Sequence, residues 1–172
     1  MAAREVSLDA DGSNAGASVT DWTNVGGSSH HVSISDGTAA TFIEATSTGQ
    51  TQTFTLSSPG LISAGENVKF LSVYWIYGSD VTNNSGTFTF KLLDGGDSDN
   101  TLYTINEEWV APLNANKTSQ TTARIFGEHS SGTAWDATNL GNLKVLVTPT
   151  SISADKFEIH KFGPTNEIMK EA

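Results

Sequence analysis

The sequence has no cysteine among its 172 residues. That excludes a disulfide scaffold and every thiolate metal site. Basic residues are few: 9 Lys and Arg stand against 19 Asp and Glu, a net charge of -10. Phosphates repel such a chain, which argues against nucleic acid or an anionic membrane as partner. No apolar run approaches the roughly 18 residues of a membrane span. The first residues, MAAREVSLDADG, lack the apolar centre of a secretory signal. Charge of either sign is scarce, at 16% of residues. Several catalytic signatures are absent: GxSxG, HExxH, and the Walker and dinucleotide glycine patterns.

What the chain has instead is hydroxyl and amide. Ser numbers 20, Thr 22 and Asn 12. These are poor helix formers, and Thr is a good strand former. Leu, Ile, Val and Phe together number 38 of 172, enough for a real but thin core. Two layers of sheet with Thr on the outer faces fit this composition. The length suits one domain.

From residue 41 onward apolar side chains recur with a period near two. Residues 51–56 set Thr51, Thr53 and Thr55 against Gln52, Phe54 and Leu56. The strongest segment is 68–77, with Val68, Phe70, Ser72, Tyr74 and Ile76 opposite Lys69, Leu71, Val73, Trp75 and Tyr77. Two apolar faces predict a central strand. The turn-forming run 78–86 predicts a hairpin to the strand at 87–93. Residues 101–109 read as a strand in which Leu102 and Ile105 break strict alternation, the mark of a bulge. Residues 135–140 predict one helical turn. Further strands fall at 121–126, 143–147 and 157–162, stopped by Pro149 and by Gly163-Pro164. No segment has sustained helical periodicity. The predicted fold is all-β: an antiparallel two-sheet β-sandwich, best matched by a jelly roll, with an immunoglobulin-like sandwich as the alternative. The division is an N-terminal arm or edge segment over 1–21, a sandwich domain over 22–162 and a tail over 163–172.

The order of features resembles a group of β-sandwich virion structural proteins of tailed phages. The features are Trp22; Phe42-Ile43-Glu44; Phe54 and Leu56; Gly65-Glu66; the aromatic run 73–77; Trp135-Asp136; the 143–147 strand; and Phe157-Glu158-Ile159. The resemblance implies a non-catalytic capsid decoration or cement protein on the capsid surface of the virion. Its partners would be the major capsid protein or other virion proteins, and it would act as a homo-oligomer, a trimer for preference. Carbohydrate-binding sandwiches share this rhythm. The alternative is therefore a glycan-binding module, or a tail- or fibre-associated receptor-binding protein. An acidic glycosidase or lyase comes third.

Each candidate group has a plain structural reading beside the functional one. Trp22, Tyr74, Tyr77 and Trp109 are the candidate contacts for a protein or a glycan, yet core packing or a protein interface is favoured over a glycan platform for every tryptophan, Trp75 and Trp135 included. Glu107-Glu108 beside Trp109 is the one carboxylate pair that invites catalysis, since an indole can raise a carboxyl pKa; two solvated acids at a strand end are the simpler reading. His30 and His31, read as strand neighbours, point to opposite faces and cannot chelate together. His129 and His160 complete the set without metal spacing. The acidic loops 9–14 and 94–100 lack the EF-hand pattern, and turns favour the same residues. No cofactor or metal is expected.

Overall fold

The computed structural model describes the backbone over residues 2–5, 8–11, 13–14, 17–18, 21–34, 40–56, 66–78, 84–95, 100–110, 120–129, 132–153 and 156–170. Side chains are described over 21–34, 40–55, 71–73, 75–78, 84–95, 100–109, 126–129, 132–136, 138–153 and 156–159. In chain order the strands are β1 (Ala2–Glu5), β2 (Leu8–Asp11), β3 (Ser13–Asn14), β4 (Ala17–Ser18), β5 (Thr23–Val25), β6 (Phe42–Ala45), β7 (Gln52–Leu56) and β8 (Glu66–Gly78). They continue as β9 (Ser85–Asp94), β10 (Asn100–Val110), β11 (Gln120–Phe126), β12 (Leu143–Ile152) and β13 (Phe157–Lys170). The helices are single turns, α1 (His30–Ser33) and α2 (Ala137–Gly141). Among the described residues no helix is long and apolar enough to cross a membrane.

One sheet runs β11-β8-β13-β6-β5, with β1 added beside β13; the other runs β10-β9-β12-β7-β2. All their pairings are antiparallel. From β6 to β13 the chain passes repeatedly between the two sheets. The spatial orders β6-β13-β8-β11 and β7-β12-β9-β10 are those of a jelly roll. The predicted all-β antiparallel sandwich is therefore what forms.

Alternation determines which side chains meet between the layers. Leu71, Val73, Trp75 and Tyr77 of β8 are buried, as are Phe88, Phe90 and Leu92 of β9 and Val145 and Val147 of β12. Trp75 stacks on Phe90 at 5.4 Å and meets Phe88 edge-on at 5.8 Å. Phe157 bridges the layers, its ring 5.0 Å from Phe88. The outer positions Ser72 and Ile76 are half-buried.

Four local expectations change. β8 and β9 do not form a hairpin; they lie in opposite sheets, because their apolar faces bury more surface against each other than side by side. The hairpin is the next pair, β9 with β10, in continuous register apart from a shift at Thr101/Tyr103, where Leu102 breaks alternation. Residues 163–170, read as tail, continue β13 along β8. Pro164 is tolerated because β6 pairs only 157–159 and β1 only 165–168, so 160–164 has no described partner on that side. β12 likewise passes Pro149 through a register shift and ends at Ile152. Finally, His30 and His31 lie on α1 rather than on a strand. His30 Nε2 donates to the Trp22 carbonyl at 2.7 Å, and His31 Nδ1 pairs with the Ser29 hydroxyl at 3.1 Å.

Candidate functional site

Where β9 begins and β10 and β12 end, three strands meet at one end of a sheet. Pairing sets Glu108 opposite Thr87 and Trp109 opposite Gly86 on one side of β9, and Ser151 opposite Thr87 on the other. A groove of about 280 Å³ opens there, lined by Ser85, Gly86, Thr87, Glu108, Trp109 and Ser151. Its narrowness depends on a glycine. A Cβ on Gly86 would stand 1.9 Å from the Ser151 carbonyl oxygen and 2.8 Å from Trp109 Nε1. Only a residue without a side chain lets the two approach so closely.

The walls are hydroxyls held in a network. The Thr87 N–H donates to Ser151 Oγ at 2.9 Å, and Thr87 Oγ1 lies 2.6 Å from Thr150 Oγ1 and 3.0 Å from Ser151 Oγ. The Ser85 N–H donates to Ser153 Oγ at 2.8 Å, and that hydroxyl donates to Asn84 Oδ1 at 3.1 Å. Buried Asn84 donates in turn to the Lys156 carbonyl at 2.8 Å. This chain of bonds fixes the rim on the sheet beneath it.

The floor is Trp109. Its side chain is 1% exposed and its ring lies 5.0 Å from Phe157. Its Nε1 has no hydrogen-bond acceptor among the described residues. A buried indole N–H usually finds one; that of Trp75, in the core, is likewise without one among the described residues. Glu108 at the rim is exposed and accepts only. The site thus offers three hydroxyls that donate or accept and one carboxylate, beside a buried indole. That set suits a ligand carrying several hydroxyls.

The other expected contacts are placed differently. Trp22 is 3% exposed, meets Phe157 edge-on at 5.7 Å and donates from Nε1 to the Gln50 carbonyl at 3.1 Å. Tyr77 is 7% exposed, and burial, reinforced by the Glu107 charge, pushes its phenol pKa up. Neither presents a ring face for stacking. The backbone of Tyr74 pairs with Ala123 and Gly163, and its side chain lies outside the described ones. Among the described side chains of the four, Trp109 is the one that borders this groove. The core reading of Trp75 and Trp135 holds, at 1% and 0% exposure. Trp135 donates to the Phe126 carbonyl at 3.1 Å.

Glu107 and Glu108 alternate across β10, Glu107 opposite Phe88 and half-buried, Glu108 opposite Thr87 and exposed. Two carboxylates on opposite faces cannot flank one bond. A different pair does converge: Glu44 and Glu158 face each other across β6 and β13. Lys156 Nζ sits between them, 2.6 Å from Glu44 Oε2 and 3.5 Å from Glu158 Oε1. This is an ion-pair cluster that keeps a 0%-exposed carboxylate, Glu158, compensated. His129 Nε2 lies 3.1 Å from Asp94 Oδ2, and its ring meets Trp135 edge-on. The candidate calcium loop residues Asp97 and Asp99, the side chains of 9–14 and that of His160 fall outside the described residues.

Fold and groove together define a two-sheet β-sandwich with a hydroxyl-lined site at a strand end. No protein-family model matches the chain, and no curated protein matches its sequence. Among solved structures, a truncated AlyQ with CBM32 and alginate lyase domains matches with TM-score 0.50 and 16% identity, over 99% of this chain and 35% of that one. The C-terminal CBM6 of LamC, a marine laminarinase from Zobellia galactanivorans, matches with TM-score 0.47 and 9% identity, over 96% and 100% of the two chains. The enzymatically active domain of bacteriophage CBA120 tailspike protein 4 matches with TM-score 0.42 and 14% identity, over 88% and 20%. At such identities the likeness extends to the fold alone, and the chain spans about a third of the AlyQ chain. The resemblance to capsid decoration proteins has no counterpart among these three.

Proposed function

We propose that this β-sandwich is a non-catalytic carbohydrate-binding module whose site is the groove between Glu108, Trp109 and Ser151. The observation that carries this reading is the groove at the strand ends, lined by the hydroxyls of Ser85, Thr87 and Ser151 and by Glu108. Fold alone does not decide, since one sandwich architecture hosts binding modules, enzymes and structural proteins. The groove's size is at the small end of ligand sites, roughly 300–1,000 Å³. It therefore suits one terminal sugar unit rather than a length of polymer. With no ring face for stacking among the described lining residues, affinity rests on hydrogen bonds and is modest, in about the high-micromolar to millimolar range.

A place on the virion, with capsid partners and a trimeric state, is the second reading and makes a different demand. A cement protein needs exposed apolar surface to grip neighbouring subunits. Among the described residues, Val32 at 41% is the sole large hydrophobic in the open. The test is a glycan array run beside sedimentation with preformed capsids. Retention on glycans with no capsid binding is the expected result. Capsid binding without glycan retention overturns the proposal in favour of cement.

A further inference from the structure

We infer that the groove selects a neutral sugar, held by two adjacent hydroxyls on the Glu108 carboxylate, and turns away uronates and sulfated sugars. This rests on the glycan reading above and deepens it. None of the six lining residues is cationic. Lys156, tied to this end of the sandwich through its carbonyl bond to Asn84, has its Nζ between Glu44 and Glu158. The chain's net charge of -10 adds a negative field of its own.

An anionic sugar in this groove meets Glu108 with no counter-charge among the described lining residues, and like charges at contact distance in a partly dry site repel strongly. A neutral sugar meets the same carboxylate as a paired acceptor. Two vicinal O–H groups can donate to its two oxygens in charge-assisted bonds, stronger than bonds to a neutral amide. The carboxylate at the rim orients the ring, and the hydroxyls of Ser85, Thr87 and Ser151 adapt to the rest.

The experiment titrates the intact protein and its Glu108→Gln variant at low salt. The probes are neutral glucan and xylan hexasaccharides, and mannuronate and galacturonate hexasaccharides. Expected for the native protein is binding of a neutral hexasaccharide at least tenfold tighter than either uronate. Glu108→Gln is expected to lower neutral affinity about tenfold, the value of one charge-assisted hydrogen bond, and to shrink the neutral-to-uronate ratio. Its melting temperature should stay unchanged, because Glu108 is exposed. Uronates binding as well as neutral sugars, or a ratio untouched by the substitution, overturns this inference and leaves the glycan reading standing. Failure of every oligosaccharide to bind overturns both.

Discussion

Phe157 lies within ring-contact distance of four aromatic side chains: Trp22 at 5.7 Å, Tyr77 at 6.1 Å, Phe88 at 5.0 Å and Trp109 at 5.0 Å. Removing it opens a cavity that both layers line. Phe157→Ala should lower unfolding free energy by about 3–5 kcal/mol in a urea titration, and should loosen the floor of the groove along with the core. Trp109→Phe shrinks a side chain that is 1% exposed and packs 5.0 Å from the same ring, so the urea midpoint should fall too, by less than for Phe157→Ala. An unmoved midpoint would mean that the core repacks around the smaller ring. Lys156→Met leaves buried Glu158 beside Glu44 without their shared cation and should cost roughly 3 kcal/mol. At this scale the aromatic core was legible in part: Trp75 falls on the face of β8 that alternation predicts, while Trp22 and Trp109, candidate contacts by sequence, are buried as well. The groove was not legible. Ser151 and Thr87 are distant in sequence, and nothing in either segment announces the other.

Elements show why local signals sometimes mislead. The turn residues between β8 and β9 look like a hairpin, yet both strands carry long apolar faces, and stacking buries those faces where pairing would leave one of them wet. The Trp135-Asp136 signal, in contrast, was sufficient. Asp136 Oδ1 accepts from the Asn139 N–H at 2.8 Å and caps α2. Asp136→Ala should cost about 1 kcal/mol, read as a lower denaturation midpoint. Gly86 in β9 belongs to both stability and site. Gly86→Ala forces a Cβ onto the Ser151 carbonyl, so β12 must shift, and both the midpoint and sugar binding should drop. Wild-type behaviour of that variant would mean the strand ends are looser than the geometry shows. The extension of β13 past Gly163-Pro164 was hidden because a proline's cost depends on which side of the strand has a partner, and that is a property of the sheet.

For the molecule as a whole, the sandwich couples tyrosine ionisation to folding. Burial first, and then the Glu107 charge, raises the Tyr77 pKa; burial, and then the Glu128 charge, raises that of Tyr103. In the unfolded chain both phenols ionise near pH 10. The folded state therefore keeps protons that the unfolded state releases. The stability linked to them is complete below pH 10 and declines as pH rises through the folded values. Tyrosinate absorbance should lag that of the denatured protein, and the urea midpoint should drop above pH 10. Superimposable titrations of native and denatured protein would contradict this.

The sequence by itself determined the class of fold, because a side-chain period of two with scarce charge leaves stacked sheets as the way to bury Trp75, Phe88 and Phe90. Only the tertiary structure decided that β9, β10 and β12 end together around Gly86. Register between β9 and β12, more than sixty residues apart, is a matter of global packing, and it brings Ser151 to the carboxylate and hydroxyls that the β9–β10 pair presents.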